Sequence, residues 1–308
     1  MKKYLLCLAL ISVAMFMIPV CSFAQSWENI YFSTEEDFLA ETEQGLQIVS
    51  DGDLLHWSGF VYMKNKELVQ KFDERNDLGL DAVDVVESGA RIVAFSTELD
   101  STHKIFTAGD LLSTNGALIT NAALLCKWQF PEPQTDLGLD AVQFKGDQSD
   151  ILQFLDYVSA QGWDYYRNDP CRLADDLHEF RIDIWFSTEG TPSYPEDPMF
   201  LDGDLLSARD GVIVAGNKDL LIPPCPAGLP DRGVDFGLDA FMGPRLFEDD
   251  RMWFSTEILF NDKETPFTDG DLLIKGSLVI VLPNIQFIQS FKPRVDFLGL
   301  DAVSHFEK

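Results

Sequence analysis

The chain has 308 residues and carries 23 Lys and Arg against 51 Asp and Glu, a formal charge of −28. Such an excess of negative charge repels nucleic-acid phosphates and anionic membrane surfaces, so nucleic acid is excluded as a partner. At 46% hydrophobic and 12% aromatic residues, with 24 Phe, the chain is too apolar for a disordered acidic tail and long enough to bury a core.

The first element in chain order is a targeting segment. Lys2 and Lys3 precede an apolar run from Tyr4 to Val20, and Ser22 and Ala24 supply the small residues of a cleavage site. This predicts a signal peptide over residues 1–24, a mature start at Gln25, and export to a periplasmic or extracellular space. The rival is a membrane anchor, since an apolar run of about 17 residues is near the lower limit of a span. The small-residue site directly after the run argues for cleavage. Ile18-Pro19-Val20 before Cys21 does not fit lipidation, which favours a small residue there. The short Lys-Lys start has a bacterial character. No second long apolar run follows, so no transmembrane segment is expected in the mature chain. Removing residues 1–24 takes away two lysines and no acid.

Three strings then recur four times in fixed order. Phe-Ser-Thr-Glu stands at Phe32–Glu35, Phe95–Glu98, Phe186–Glu189 and Phe254–Glu257. Gly-Asp-Leu-Leu stands at Gly52–Leu55, Gly109–Leu112, Gly203–Leu206 and Gly270–Leu273. Gly-Leu-Asp-Ala stands at Gly79–Ala82, Gly138–Ala141, Gly237–Ala240 and Gly299–Ala302. Twelve matches in register define an internal repeat. The repeats run over about 27–87, 88–145, 181–244 and 250–306, within a single domain over 25–308.

Each repeat reads as four strands. The segment ending in Phe-Ser-Thr-Glu is rich in β-branched and aromatic residues. Gly-Asp-Leu-Leu opens a short strand that ends at a turn glycine, Gly59, Gly116, Gly211 or Gly276, followed by a return strand. An Asn follows each return strand, at Asn65, Asn121, Asn217 and Asn284. A less regular stretch leads to Gly-Leu-Asp-Ala, which opens a strand pairing with the next Phe-Ser-Thr-Glu strand. The mature chain thus starts with the second strand of a unit whose first strand lies at its end. Leu300–Phe306 is expected to pair with Trp27–Glu35. The fold class is all-β, and the first expectation is a four-bladed β-propeller closed by pairing of its N- and C-terminal strands. A β-sandwich, or two domains of two units each, are the alternatives. The Asp-Ala strand openings resemble those of the four-bladed hemopexin-type propeller, a resemblance that implies a ring of four blades.

One piece breaks the repeat. Ala82 to Phe95 and Ala240 to Phe254 span 13 and 14 positions, whereas Ala141 to Phe186 spans 45. The insert, residues 146–180, reads as helical. Ile151, Phe154, Leu155 and Val158 follow the spacing of one helix face, and Leu173, Leu177 and Phe180 suit a second helix. Between them lie Trp163, Asp164, Tyr165, Tyr166 and Arg167. Exposed, they would form a ligand-binding patch; folded inward, they would cover the β core. Cys126, Cys171 and Cys225 remain after cleavage, and Cys171–Cys225 is the expected disulfide, with three free thiols as the alternative.

The recurring acids are the candidate metal ligands: Asp81, Asp140, Asp239 and Asp301 from one string, Asp53, Asp110, Asp204 and Asp271 from another. Glu35, Glu98, Glu189 and Glu257 complete the set, and Asp51, Asp202 and Asp269 add an Asp-Gly-Asp in three copies, with Ala108 in the remaining one. Oxygen ligands at short spacing suit calcium. The competing role is local, since Asp accepts backbone N–H bonds in turns. Four aspartates converging on one axis would repel unless they share an ion.

Catalytic signals are thin. The four histidines do not recur at one place in the repeat, no zinc-ligand spacing is present, and no nucleophile elbow or phosphate loop appears. The expected function is therefore an exported binding or scaffold module with a protein or carbohydrate ligand. A carbohydrate-active hydrolase or lyase using carboxylates near the insert, and a structural envelope or matrix protein, are the alternatives.

Overall fold

The computed structural model describes residues 29–42, 45–128, 130, 136–192, 199–221, 234–246, 251–261 and 265–306. The segment read as a signal peptide lies outside them, as does Cys225. The architecture is mostly β: four four-stranded antiparallel sheets, a two-stranded hairpin and short helices.

Each repeat string has a fixed place in a sheet. The first sheet orders Leu300–His305, Ile30–Thr34, Leu54–His56 and Phe60–Met63. The second orders Val83–Glu87, Ile92–Phe95, Leu111–Ser113 and Leu118–Ile119. The third orders Val142–Lys145, Asp183–Phe186, Leu205–Ser207 and Val212–Ala215. The fourth orders Phe241–Met242, Trp253–Phe254, Leu272–Ile274 and Ile280–Leu282. The first and last strands of the described residues share the first sheet, with Ile30 opposite His305 and Phe32 opposite Val303. The turn glycines Gly59, Gly116, Gly211 and Gly276 have φ of 92°, 96°, 64° and 71°, a backbone state that side chains with a Cβ rarely adopt.

The leading strands of the four sheets lie side by side. Val83–Glu87 neighbours Leu300–His305 and Val142–Lys145, and Phe241–Met242 neighbours the same two. Between successive sheets lies an apolar layer. Leu54, Met63, Val85 and Phe95 join the first sheet to the second; Val86, Ile119, Phe144 and Ile184 join the second to the third. Leu205, Phe241 and Leu273 join the third to the fourth, and Met242, Leu272, Phe32 and Val303 join the fourth back to the first.

Helical turns replace the stretch read as irregular: Asn65–Leu68, Asn121–Leu124, Asn217–Leu220 and Asn284–Ile288. The extra length of the first repeat forms a hairpin, Phe38–Thr42 with Gly45–Val49. The insert is helical over Gln148–Gln161, Tyr165–Asn168 and Arg172–Glu179, and it buries Phe154, Tyr166, Leu173 and Leu177 in the layer between the second and third sheets. This docking corrects the expected disulfide. Cys171 pairs with Cys126, their Cα atoms 5.2 Å apart, because the insert folds back onto the helical turn of the second repeat.

Candidate metal centre

The Gly-Leu-Asp-Ala string builds one end of the leading strands. A Cβ on Gly79, Gly138, Gly237 or Gly299 would overlap the side chain of Glu98, Glu189, Glu257 or Glu35, respectively. Each glycine therefore lets the glutamate of its own sheet lie across it, and acids from both strings gather at one end. The aspartates form the floor: Asp81, Asp140, Asp239 and Asp301 are 6%, 4%, 6% and 9% exposed. The glutamates form the solvent-facing mouth.

The serines tie this floor together. Ser96 Oγ accepts from Ala82 N at 2.8 Å and donates to Leu139 O of the next sheet at 2.8 Å. Ser187 repeats this with Ala141 N and Leu238 O, and Ser33 donates to Leu80 O. Ser255 instead donates to the Asp239 carboxylate at 3.3 Å. With their hydroxyls donating to the next sheet, Ser33, Ser96 and Ser187 are positioned as struts.

Three of the four floor aspartates keep an oxygen without the partner that buried carboxylates normally require. Among the described residues, Asp81 Oδ2, Asp140 Oδ2 and Asp301 Oδ2 are buried without a hydrogen-bond partner. One oxygen each from Asp81, Asp140 and Glu189 lie within 4.8 Å of one another. Burial, reinforced by the neighbouring acids, pushes all four aspartates well above the usual carboxylate range. The mouth follows the same trend. Burial and nearby Asp269 push Glu35 up to about 6; burial and Asp51 push Glu98 up to about 7; burial and Asp202 push Glu257 up to about 7. Burial also raises Glu189. Carboxylates this close need protons or a cation between them.

The second set of candidate ligands is placed differently. Asp53, Asp110, Asp204 and Asp271 each accept the backbone N–H of the Asn that opens the helical turn, at 3.1, 2.9, 2.7 and 2.9 Å. The other oxygen accepts an N–H three residues upstream, from Ser50, Thr107, Leu201 and Thr268. The Asn side chains then clamp the approach to Gly-Leu-Asp-Ala: Asn65 Nδ2 donates to Gly79 O and Asn65 Oδ1 accepts from Leu78 N. These aspartates organise the turn.

A third set of acids escaped sequence reasoning. Asp77, Asp136 and Asp235 each stand two residues before a Gly-Leu-Asp-Ala glycine and accept its N–H. Burial and Asp202 push Asp235 up to about 8. Their recurrence in three copies was a readable signal. Asp136 lines an open cleft of about 380 Å³ with Glu98, Asp100, Ala108 and Glu189.

Farther along the leading strands from this floor lies a buried ion pair. Arg245 donates to both oxygens of Asp84 at 2.7 Å and to Val85 O at 2.7 Å. Asp84 also accepts from Phe144 N at 2.8 Å and Ser304 Oγ at 3.3 Å.

The insert residues are brought together, with the aromatics turned inward. Tyr166 is 0% exposed and donates to Asp176 at 3.1 Å. Trp163 is half-buried and packs on Phe72. Tyr165 is half-buried, its hydroxyl 2.5 Å from that of Tyr157 and its ring beneath Arg172. Asp164 and Arg167 are exposed and pair at 3.2 Å, and Arg167 also donates to Ile105 O.

Among known proteins, no family model, no curated protein and no solved structure matches the chain. The chemistry of the site therefore rests on its own geometry. It is a carboxylate-rich mouth over buried oxygens, suited to holding a hard cation. No helix among the described residues is long and apolar enough to cross a membrane.

Proposed function

We propose that this chain is an exported, calcium-stabilised β-propeller of four blades that acts as a binding or scaffold module. The observation that carries this reading is the floor of four buried aspartates, three of them with an oxygen left unpartnered. Among the described residues no cationic side chain pairs with these four aspartates, and a bound divalent ion best explains the cluster. The ring of blades is supported by the four apolar layers, each shared by successive sheets, and by the strand pairing of the two chain ends. Export rests on the pattern of residues 1–24. The ligand, a protein or a carbohydrate, would meet the mouth and the neighbouring insert face, where Asp164 and Arg167 are exposed. The test is thermal unfolding of the chain starting at Gln25, in excess EDTA and then in millimolar calcium. Calcium should raise the melting temperature, and coincident curves would sink the calcium reading.

A carbohydrate-active hydrolase is the second reading, favoured by Glu98 and Glu257. Both are pushed up to about 7 by burial and nearby acids, a value suited to a general acid at neutral pH. It requires turnover on a glycan panel that is lost in Glu98→Gln or Glu257→Gln; a protein that stays inert across the panel removes it.

A further inference from the structure

The repeat offers four equivalent places for an ion, each made by two successive floor aspartates and the glutamate of the later sheet. Among the described residues, only one of them, Asp81, Asp140 and Glu189, brings three carboxylate oxygens within 4.8 Å of one another. Oxygens that share one calcium lie at most about 5 Å apart, since each sits roughly 2.4 Å from the ion. Two of these three oxygens come from residues only 6% and 4% exposed, and each of those aspartates keeps one oxygen unpartnered. The same quarter of the molecule carries the one departure from Asp-Gly-Asp. In the other three quarters the corresponding glutamate lies near the first Asp of that string: Glu98 near Asp51, Glu257 near Asp202, Glu35 near Asp269. Next to Glu189 the position is Ala108, which has no carboxylate to fill the space. There the surface opens into the cleft of about 380 Å³ lined by Glu98, Asp100, Asp136 and Glu189. Acidic walls around an opening concentrate cations at its mouth.

We propose that the chain holds one divalent cation off the centre of the ring, on Asp81, Asp140 and Glu189, and that Ala108 keeps open the cleft through which the hydrated ion reaches this seat. The proposal rests on the calcium reading above but is narrower, because an ion held equally by four aspartates would need no such cleft.

The experiment is calcium titration calorimetry on the chain starting at Gln25, with stopped-flow release of calcium into a chelator. The wild type should bind one ion at high affinity. Glu189→Gln, an exposed side chain whose loss leaves the core intact, should weaken binding at least ~30-fold, against less than ~3-fold for Glu35→Gln on the far side of the ring. Ala108→Asn, which fills the cleft without adding charge, should slow release by ~10-fold while changing affinity far less. Equal losses in Glu189→Gln and Glu35→Gln, or four equivalent ions, would overturn the off-centre seat and leave the calcium reading standing. An unchanged release rate in Ala108→Asn would overturn the role of the cleft. A wild type that binds no calcium removes both readings together.

Discussion

Asp81 stands two residues before the strand Val83–Glu87 and Asp84 lies within it, and both are buried, at 6% and 1% exposure. Their surroundings are opposite. Asp84 meets two nitrogens of Arg245, a backbone N–H and a hydroxyl. Asp81 faces Glu189, Glu98 and other acids, with one oxygen unpartnered. The contrast separates a carboxylate that the fold has finished from one that it has left for something else to complete. Burial alone does not distinguish them; the partners do.

The largest effect should come from breaking the finished end. Arg245→Met leaves Asp84 buried and unpaired, and removing one partner of such a pair costs about 3–5 kcal/mol. Urea unfolding in the presence of calcium measures it. A loss below about 1 kcal/mol would mean that Asp84 is relieved by water or a proton, and the two ends would then be alike.

Next is the turn aspartate, which shows what full backbone satisfaction contributes. Asp110 accepts Asn121 N at 2.9 Å and Thr107 N at 3.1 Å. Asp110→Ala should cost about 2–3 kcal/mol, because a buried N–H and a part-buried one lose their shared carboxylate acceptor. It should leave calcium affinity within about threefold, since both oxygens of this carboxylate already accept backbone N–H bonds. A calcium affinity that collapses while the fold holds would return Asp110 to the ligand set.

How legible this contrast was in the sequence depends on whether a residue repeats. The turn glycines and the pairing of Leu300–His305 with Ile30–Thr34 follow from fourfold recurrence and appear as expected, whereas Gly-Leu-Asp-Ala ends just before its strand in three copies. The Asn-initiated helical turns were not read, because four or five residues are too few to show helical periodicity. Their cause is the Asp–Asn hydrogen bond, which links residues 11 to 13 positions apart. Asp77, Asp136 and Asp235 recur but were passed over beside the more conspicuous strings. Arg245 was beyond reach: it is a single, unrepeated residue that crosses 161 positions to Asp84. The Cys126–Cys171 pair was missed for a related reason. It depends on where a unique insert docks, and the repeat carries no information about that.

A smaller effect, of opposite sign, should come from the unfinished end. Asp81→Asn replaces a floor carboxylate that burial drives to take up a proton with a neutral amide, so the calcium-free protein should gain about 1–2 kcal/mol while losing its calcium-induced shift in melting temperature. Destabilisation in EDTA would show that the Asp81 carboxyl makes contacts in the calcium-free fold that an amide cannot replace. The pH dependence carries the same information. Glu35 at about 6, and Glu98 and Glu257 at about 7, lie above the ordinary value of 4.5. A folded state that holds protons more tightly is favoured below the unfolded value and loses that advantage as pH rises through the folded one. The calcium-free protein should therefore lose stability between about pH 4.5 and pH 7, and saturating calcium should flatten that slope. Parallel slopes with and without calcium would dissociate the mouth from the ion.

The smallest effect sharpens the comparison from outside. Arg91 and Glu67 repeat the Arg–carboxylate chemistry of Arg245 and Asp84, at 2.9 Å, but their side chains are 47% and 45% exposed. In water the two ions gain little from meeting, since each is already well solvated and both give up side-chain freedom to pair. Arg91 also keeps other contacts, donating to Tyr62 O at 2.6 Å and lying 5.4 Å from the Tyr62 ring centre. Glu67→Gln therefore tests the charge alone, and it should change unfolding free energy by no more than about 0.5 kcal/mol. A value approaching that of Arg245→Met would mean that the distance between charges, rather than the solvent withheld from them, sets the strength of pairing in this fold. The contrast between Asp81 and Asp84 would then have to be rebuilt on geometry instead of on burial with or without a partner.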